Sequence, residues 1–544
     1  MAIRTSTATR QAGSQKRREV FIDGGAQYNT RVLRSRLLLA VYVLLTTVSL
    51  LPIWWVRYQP LPDLSQHLAA ASVLHNLSDP RFDLARYYEL SLGLTPYWGY
   101  YGLVHLFAFP LGVETANRVV LSLYVAALPA GMGLLARRFA RSPWLGLFTF
   151  PIVWNYNFTT GFIAFALGLA VLPWALVCFD RFCERATPGR AIAAVATGVA
   201  VFFVHLLPWG AWIGCAGLIG LLHRGQSLRA IAQRFLVWCA PTAIGVWVML
   251  HGKGLNMGSV AQGITWRRYD AWSQVGQLFY WVWNNGSDFV VDLPVLVLVL
   301  VLLAAWGALK LSARRPVLTL HGLRAEACVL VALVAYLVLP RSVLSPGYWW
   351  GINIRFACIA AMFIALCVPG EIVGGRRFLL VPVVLVGLGF AALTTVRWVR
   401  ANHFCAGYDE LALQITPGSR VLFVLQEPWH SPEDRWHYVQ TYYGIHQARF
   451  GGYMPYNFDE GFPLKYKVRY PAPTWRQMVF RWDRQARYYD YVLSFNHTGK
   501  SLFGAHLKEV TLVSSSGRWS LWKLPGPRID QPPQPAYPST WALQ

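Results

Sequence analysis

Apolar runs long enough to cross a bilayer recur along this chain from Leu37 to about Val399, and no other feature constrains its fold as tightly. Hydrocarbon offers a backbone no water to bond, so each crossing segment must satisfy its own N–H and C=O groups, and a helix does this within one segment. We read spans, each set to within a few residues, at Leu37–Val56, Tyr97–Val113, Arg118–Ala136, Pro143–Asn157, Phe162–Phe179 and Ala191–Leu206. Further spans follow at Pro208–Leu222, Phe235–His251, Val290–Leu309, Ala325–Leu339, Phe356–Val368 and Phe378–Val399. With 55% of residues apolar and only 14% charged, an ordinary soluble enzyme is excluded. The fold class expected is an all-α polytopic membrane bundle of about 11–13 transmembrane helices, followed by a small α/β C-terminal domain outside the membrane.

The net charge of +24 has a distribution that argues against a nucleic-acid partner. Basic residues gather between the spans: Arg31, Arg34 and Arg36; Arg137, Arg138 and Arg141; Arg181, Arg185 and Arg190. The same holds for Arg224, Arg229 and Arg234, for Lys310, Arg314 and Arg315, and for Arg376 and Arg377. That placement is what the positive-inside rule gives short cytoplasmic loops. Residues 1–36 then read as a cytoplasmic tail with no signal-peptide cleavage pattern, and 37–399 as the membrane domain with outer loops 58–97 and 252–289. If every span crosses, the two sides do not alternate correctly between the first loop and Arg137; a re-entrant or short helix at Tyr97–Val113 restores the parity. Trp266, Trp272, Tyr280, Trp281 and Trp283 in the second outer loop suit a helix lying at headgroup level.

Beyond Ala401 the pattern shifts to short β-rich runs, Arg420–Leu425 and Tyr489–Ser494, and a terminal hairpin from Leu507–Val513 to Trp519–Leu524. These place an extracytoplasmic α/β domain at 400–525, with a proline-rich tail over 526–544. All cysteines but Cys405 lie in or beside apolar runs and read as small core residues, with no CxxC pair.

No Gly-rich phosphate loop, Gly-x-Ser-x-Gly elbow or His-Glu-x-x-His helix is present, so no nucleotide cofactor is expected. The chemistry falls instead to ionisable residues at helix ends. Leu61-Pro-Asp-Leu-Ser-Gln-His67 supplies a carboxylate, Asp63, and an imidazole, His67, one turn on and on the same helix face. Asp63 suits either a helix N-cap or a general base, and His67 an orienting residue or a metal ligand. Asp79, Asp83 and Glu89 are further acids of that loop, read mainly as solvated. Arg355, in Trp349-Trp-Gly-Ile-Asn-Ile-Arg-Phe356, is placed either to snorkel or to clamp a phosphate, and Arg341, Lys253, Arg267 and Arg268 can share that work. His105, His205 and Trp349 are candidates for lining a substrate cleft, since ionisable groups near a membrane default to function.

The order of parts resembles the polytopic GT-C glycosyltransferases that use polyprenyl-phosphate sugars. The resemblance rests on Asp63 opening the first outer loop, where those enzymes carry a catalytic Asp, and on Asn353-Ile-Arg-Phe356, which is similar to an Arg-containing segment opening a late helix. It implies a hexosyl or pentosyl transferase of the cell envelope, in a bacterial inner membrane, with Asp63 as base and Arg355 on the departing phosphate. The implied partners are a lipid-linked sugar donor, a lipid, glycan or protein acceptor, and membrane lipids. Many members carry an Asp-Glu or Asp-x-Asp signature; here Leu64 follows Asp63, which leaves a divalent metal open. A transporter or flippase for lipid-linked glycans is the alternative, although no internal repeat is visible. A third reading is a non-catalytic assembly protein, binding a partner through Trp429, His430, Trp436, His437 and Tyr438.

Overall fold

In the computed structural model the described residues are 36–225, 227–251, 265–267, 270–283, 319–345, 349–368, 370–372, 374–425, 441–455, 463–467, 480–526 and 528–529, with a few isolated positions between. The leader, the span expected at Val290–Leu309, Lys253, Arg268, the aromatic stretch Trp429–Tyr438 and nearly all of the proline-rich tail lie outside them. Among the described residues six helices are long and apolar enough to cross a membrane, and the chain is a multi-pass membrane protein.

The helices in chain order are α1 (Arg36–Trp55), α2 (Leu64–Asn76), α3 (Trp98–Leu111), α4 (Val113–Arg138), α5 (Phe150–Val153), α6 (Tyr156–Thr160), α7 (Ile163–Glu184) and α8 (Pro188–Val204). Next come α9 (Leu206–Leu222), α10 (Leu228–His251), α11 (Ala271–Trp283), α12 (Arg324–Val338), α13 (Ile354–Ile364) and α14 (Val381–Phe404), then α15 (Tyr408–Ala412) and α16 (Thr441–Phe450). Helix α7 sits at the centre: 83% of its most apolar stretch is buried, against 22% for α1 and for α10, which turn most of their surface outward. An apolar surface of that extent is stable facing lipid, where it would not be in water.

The loops expected on the cytoplasmic side do meet at one end of the bundle. Asp180, wholly buried on α7, binds Arg324 of α12 and takes a 2.9 Å bond from Nε of Arg138 on α4. Arg138 also reaches Glu184, Arg141 donates to the Gly322 carbonyl, and Arg234 donates to that of Arg224. A buried carboxylate is tolerable only with such partners.

Two expected spans take other forms. Helix α3 begins at Tyr97, beside His205, and ends at Gly112, where the chain reverses into α4. The first turn of α4 carries Glu114, which pairs with Arg449 of α16 beside Tyr58. Helix α3 thus runs from the turn between α8 and α9 to the exit of α1, and its 14 residues are fewer than a full span needs, the short form expected there. Pro143–Asn157 does connect the two ends, but as a broken path: a 3-10 helix over Pro143–Thr149, then α5, then α6. Pro151 interrupts it, and it is buried almost throughout by neighbouring helices, the setting in which irregular backbone at membrane depth is tolerated.

The strands are β1 (Tyr88–Leu90), β2 (Thr265–Arg267), β3 (Ser342–Ser345), β4 (Trp349–Trp350), β5 (Val421–Leu425), β6 (Leu464–Tyr466), β7 (Tyr491–Phe495), β8 (Thr511–Ser516) and β9 (Trp519–Lys523). The C-terminal sheet has the order β5-β7-β9-β8, with β5 and β7 parallel and the hairpin β8–β9 at its edge. Both β5 and β7 are buried at every residue, which explains their near-continuous apolar sequence.

This C-terminal unit is locked to the first loop. Strand β1 pairs with β6 across Tyr88 and Tyr466, and the Tyr88 hydroxyl takes bonds from Gln447 Nε2 and the Met454 amide. Helix α16 crosses α2 so closely that a Cβ on Gly444 would overlap the Ser65 carbonyl. Gly444→Ala therefore forces the two helices apart. We expect a stability loss of about 1–3 kcal/mol, read as a lower melting temperature in detergent; an unchanged melting temperature refutes the crossing.

Candidate active site at the head of the first loop helix

Asp63 stands just before α2, at the N-cap position, but its side chain makes no capping bond to that helix. The cap reading is thereby corrected. The Asp63 backbone is fixed instead from α6: its amide donates to the Thr160 carbonyl at 3.1 Å. Next to it Gly161 adopts φ +100°, and a Cβ there would lie 2.6 Å from the Asp63 nitrogen. Only glycine allows both that conformation and that approach.

Arg355, in the first turn of α13, lies against aromatic faces, its guanidinium carbon 4.0 Å from the Phe162 ring centre and 5.7 Å from that of Phe165. Its Nε is buried with no hydrogen-bond partner, and among the described residues the side chain makes no ion pair. Asp63, Tyr97 and Tyr156 are the groups whose charges act on it. Arg341 is held alike, 4.0 Å above Trp281 and 5.5 Å from Trp350. Tyr156, packed on Trp281 at 5.2 Å, is within electrostatic reach of both Arg341 and Asp63. Helix α11 is tied into this arrangement by Asn353, whose Nδ2 donates to Gln274 Oε1 at 2.9 Å and to the Tyr336 carbonyl at 3.2 Å.

His67 is buried on α2, its Nδ1 2.7 Å from the Tyr101 hydroxyl. His205 breaks the chain between α8 and α9, accepts from the Leu207 amide, and packs on Tyr97 and Phe165. The Arg355 charge thus acts on His67 and His205, Asp63 acts on Arg355, and Tyr156 is within electrostatic reach of both Asp63 and Arg341, which groups Asp63, His67, His205, Arg355 and Arg341 as the candidate cleft. His105 is elsewhere, against His75. On β4 it is Trp350 that touches Arg341 and Phe162; Trp349 pairs with Val343, and its side chain takes the opposite face of the strand. Asp79 is engaged by Arg81, Asp83 lies beside Arg86, and Glu89 faces Lys465 across the β1–β6 pair. Sequence reasoning missed Tyr97, Tyr156, Phe162 and Gly161; the aromatic spacing through Trp154–Phe165 is a signal for Tyr156 and Phe162, and the local sequence carries none for Tyr97 or Gly161. Among the described residues no three His, Cys, Asp or Glu side chains gather around one point as a metal cage would require.

Two outcomes follow from this geometry. Gly161→Ala pushes the Asp63 backbone off its seat, and we expect a stability loss of about 1–3 kcal/mol, read as a lower melting temperature in detergent; an unchanged melting temperature dismisses the contact. His67 is held far down, at about 3, first by burial and second by the Arg355 charge. The unfolded chain takes up the proton near 6.5, so it binds more protons than the folded one between about 6.5 and 3, and stability falls as the pH drops through that window. The loss reaches about 2 kcal/mol by about pH 5. Melting temperature should decline less steeply with acid in His67→Gln than in the wild type, and parallel slopes defeat the assignment.

No family model matches the sequence, and no curated protein does. Solved structures do share its architecture. The crystal structure of ArnT from Cupriavidus metallidurans bound to undecaprenyl phosphate matches with a TM-score of 0.51 at 12% identity, over 91% of this chain and 99% of that one. The apo structure of the same protein matches with a TM-score of 0.49 at 11% identity, over 92% and 100%. A likeness at this identity speaks to the fold, and this chain has a GT-C-like fold: a polytopic helical membrane bundle with small sheets toward its C-terminus.

Proposed function

We propose that the chain is an integral membrane glycosyltransferase that moves a sugar from a polyprenyl-phosphate donor to a hydroxyl of a lipid, glycan or protein acceptor at the outer face of the membrane. The observation that carries this reading is Arg355: a guanidinium at a helix entrance, stacked on Phe162, without an ion pair among the described residues, and within electrostatic reach of Asp63. A cation so placed suits a phosphate group, which paired donors can clamp. The shared fold with a protein solved bound to undecaprenyl phosphate supports the same ligand class.

In this mechanism the Asp63 carboxylate takes the proton of the acceptor hydroxyl. The acceptor oxygen attacks the anomeric carbon as the bond from that carbon to the phosphate oxygen breaks, and the lipid phosphate leaves with the electron pair. Arg355, helped by Arg341, holds the charge that develops on the leaving phosphate. The displacement is in line and inverts the anomeric centre. Tyr97, Tyr156 and Trp281 offer ring faces to the sugar, and His67, neutral and fixed on Tyr101, keeps the head of α2 in place.

The test is transfer from radiolabelled polyprenyl-phosphate sugars by the purified full chain. Asp63→Asn should slow transfer by roughly 10²- to 10⁴-fold. Arg355→Lys should fail to restore what Arg355→Ala loses, because an ammonium neither stacks nor forks. A wild type inactive with every hexosyl and pentosyl donor sinks the enzyme reading; Asp63→Asn at full rate removes the base alone.

A further inference from the structure

His75 and His105 lie outside the cleft, and the mechanism above uses neither. His75 is in the last turn of α2 and His105 in the middle of α3. Their Nδ1 atoms are 3.2 Å apart, and the rings meet edge to face with centres 5.1 Å apart. Phe109, one turn beyond His105, packs its ring against both, at 4.9 and 5.0 Å. Among the described residues each imidazole has only the other as a hydrogen-bond partner.

We propose that His75 and His105 form a binding site for a divalent transition-metal ion of the zinc kind, with water in the remaining positions. Zinc–nitrogen bonds of about 2.0–2.1 Å at a tetrahedral angle put two ligating nitrogens roughly 3.3–3.4 Å apart, close to the 3.2 Å of this pair. Two neutral imidazoles this close share a single proton, whereas one cation accepts both lone pairs. Imidazole ligands without a carboxylate favour zinc, copper or nickel over calcium and magnesium. Among the described residues no third His, Cys, Asp or Glu joins the pair, so the ion would keep open positions for water. Both rings are half-buried, which leaves such an ion access from one side, while Phe109 fixes the rings from another.

The place of the pair in the fold gives the ion a consequence. His67 touches Tyr101 two turns before His75 on α2 and one turn before His105 on α3, on the same interhelical seam. A metal across that seam ties α3 to the helix whose head presents Asp63. Binding itself does not depend on the proposed transferase reaction, and neither does its test.

Purified full-length protein carrying no polyhistidine tag, stripped with chelator, is titrated with Zn²⁺ by calorimetry and with Co²⁺ by visible absorption. We expect saturable binding, cobalt bands of a site with nitrogen ligands, and a melting temperature raised by Zn²⁺. His75→Ala and His105→Ala should each weaken this binding roughly tenfold or more, since even the loss of an outer hydrogen-bond partner costs a metal site that much. Both should melt with the wild type in chelator. His75→Gln, which keeps a polar side chain of similar length, carries the same expectation should the alanine variant fold poorly. A double variant that binds Zn²⁺ like the wild type overturns the site, as does a wild type that does not bind or is not stabilised.

Discussion

The crossing of α2 and α16 at Gly444 and Ser65 is the contact on which the rest of the site depends. Helix α2 lies at the end of the bundle, too short and too full of small residues to anchor itself in lipid, with Ala69, Ala70, Ala71 and Ser72 all buried. Gly444 brings the two backbones together at Ser65, and Ser72 donates to the Ala448 carbonyl, one turn on from Gly444; dispersion over such a close-packed seam is what this helix can gain. Arg449, one and a half turns beyond Gly444, then binds Glu114 bidentately and reaches Tyr58 and Asp409. One helix of the C-terminal unit therefore fixes α2, the start of α4 and the exit of α1 together. The unit that sequence composition separates at residue 400 works as the outer wall of the first loop.

The reversal at Gly112 has an equal part in the geometry. Helix α3 lies along α2, where Tyr101 meets His67 and His105 meets His75, while Tyr100 is buried and donates to Asn117 of α4. Pro110 and the φ of +72° at Gly112 make the return abrupt. The broken path Pro143–Thr160 supplies the counterpart from the other side, since a continuous helix through that stretch could not turn Thr160 and Gly161 against Asp63.

Much of this was legible in the residues. Helix existence, the grouping of the basic loops on one side, the β-rich runs and the terminal hairpin of the C-terminal part follow from periodicity and charge, which act locally; the parallel pairing of β5 with β7 does not. Asp63 and Arg355 were visible as ionisable groups where apolar runs end, and the structure brings them within electrostatic reach across 292 positions of sequence. What was not legible depends on tertiary approach. Nothing in Thr159-Thr-Gly161 announces that a glycine meets the backbone of Asp63, and nothing in Gly444-Ile-His-Gln-Ala448 announces a partner helix some 370 residues earlier. Pro143–Asn157 misled in the other direction: its composition suits a membrane helix, but its burial among neighbours removes the need for helical self-sufficiency.

The two arginines of the cleft show why aromatic residues, and not more acids, surround the site. A guanidinium neutralised by a carboxylate has little left for a phosphate, and a bare one in an apolar wall is costly to desolvate. Stacking Arg355 on Phe162 and Arg341 on Trp281 is an intermediate solution: the ring face offsets part of the lost hydration of each guanidinium. Asp63 lies near enough to be felt by Arg355, whose Nε has no hydrogen-bond partner. In the proposed reaction a phosphate beside Arg355 displaces no ion pair of that side chain among the described residues, so the electrostatic gain falls on the charge that develops as the phosphate leaves.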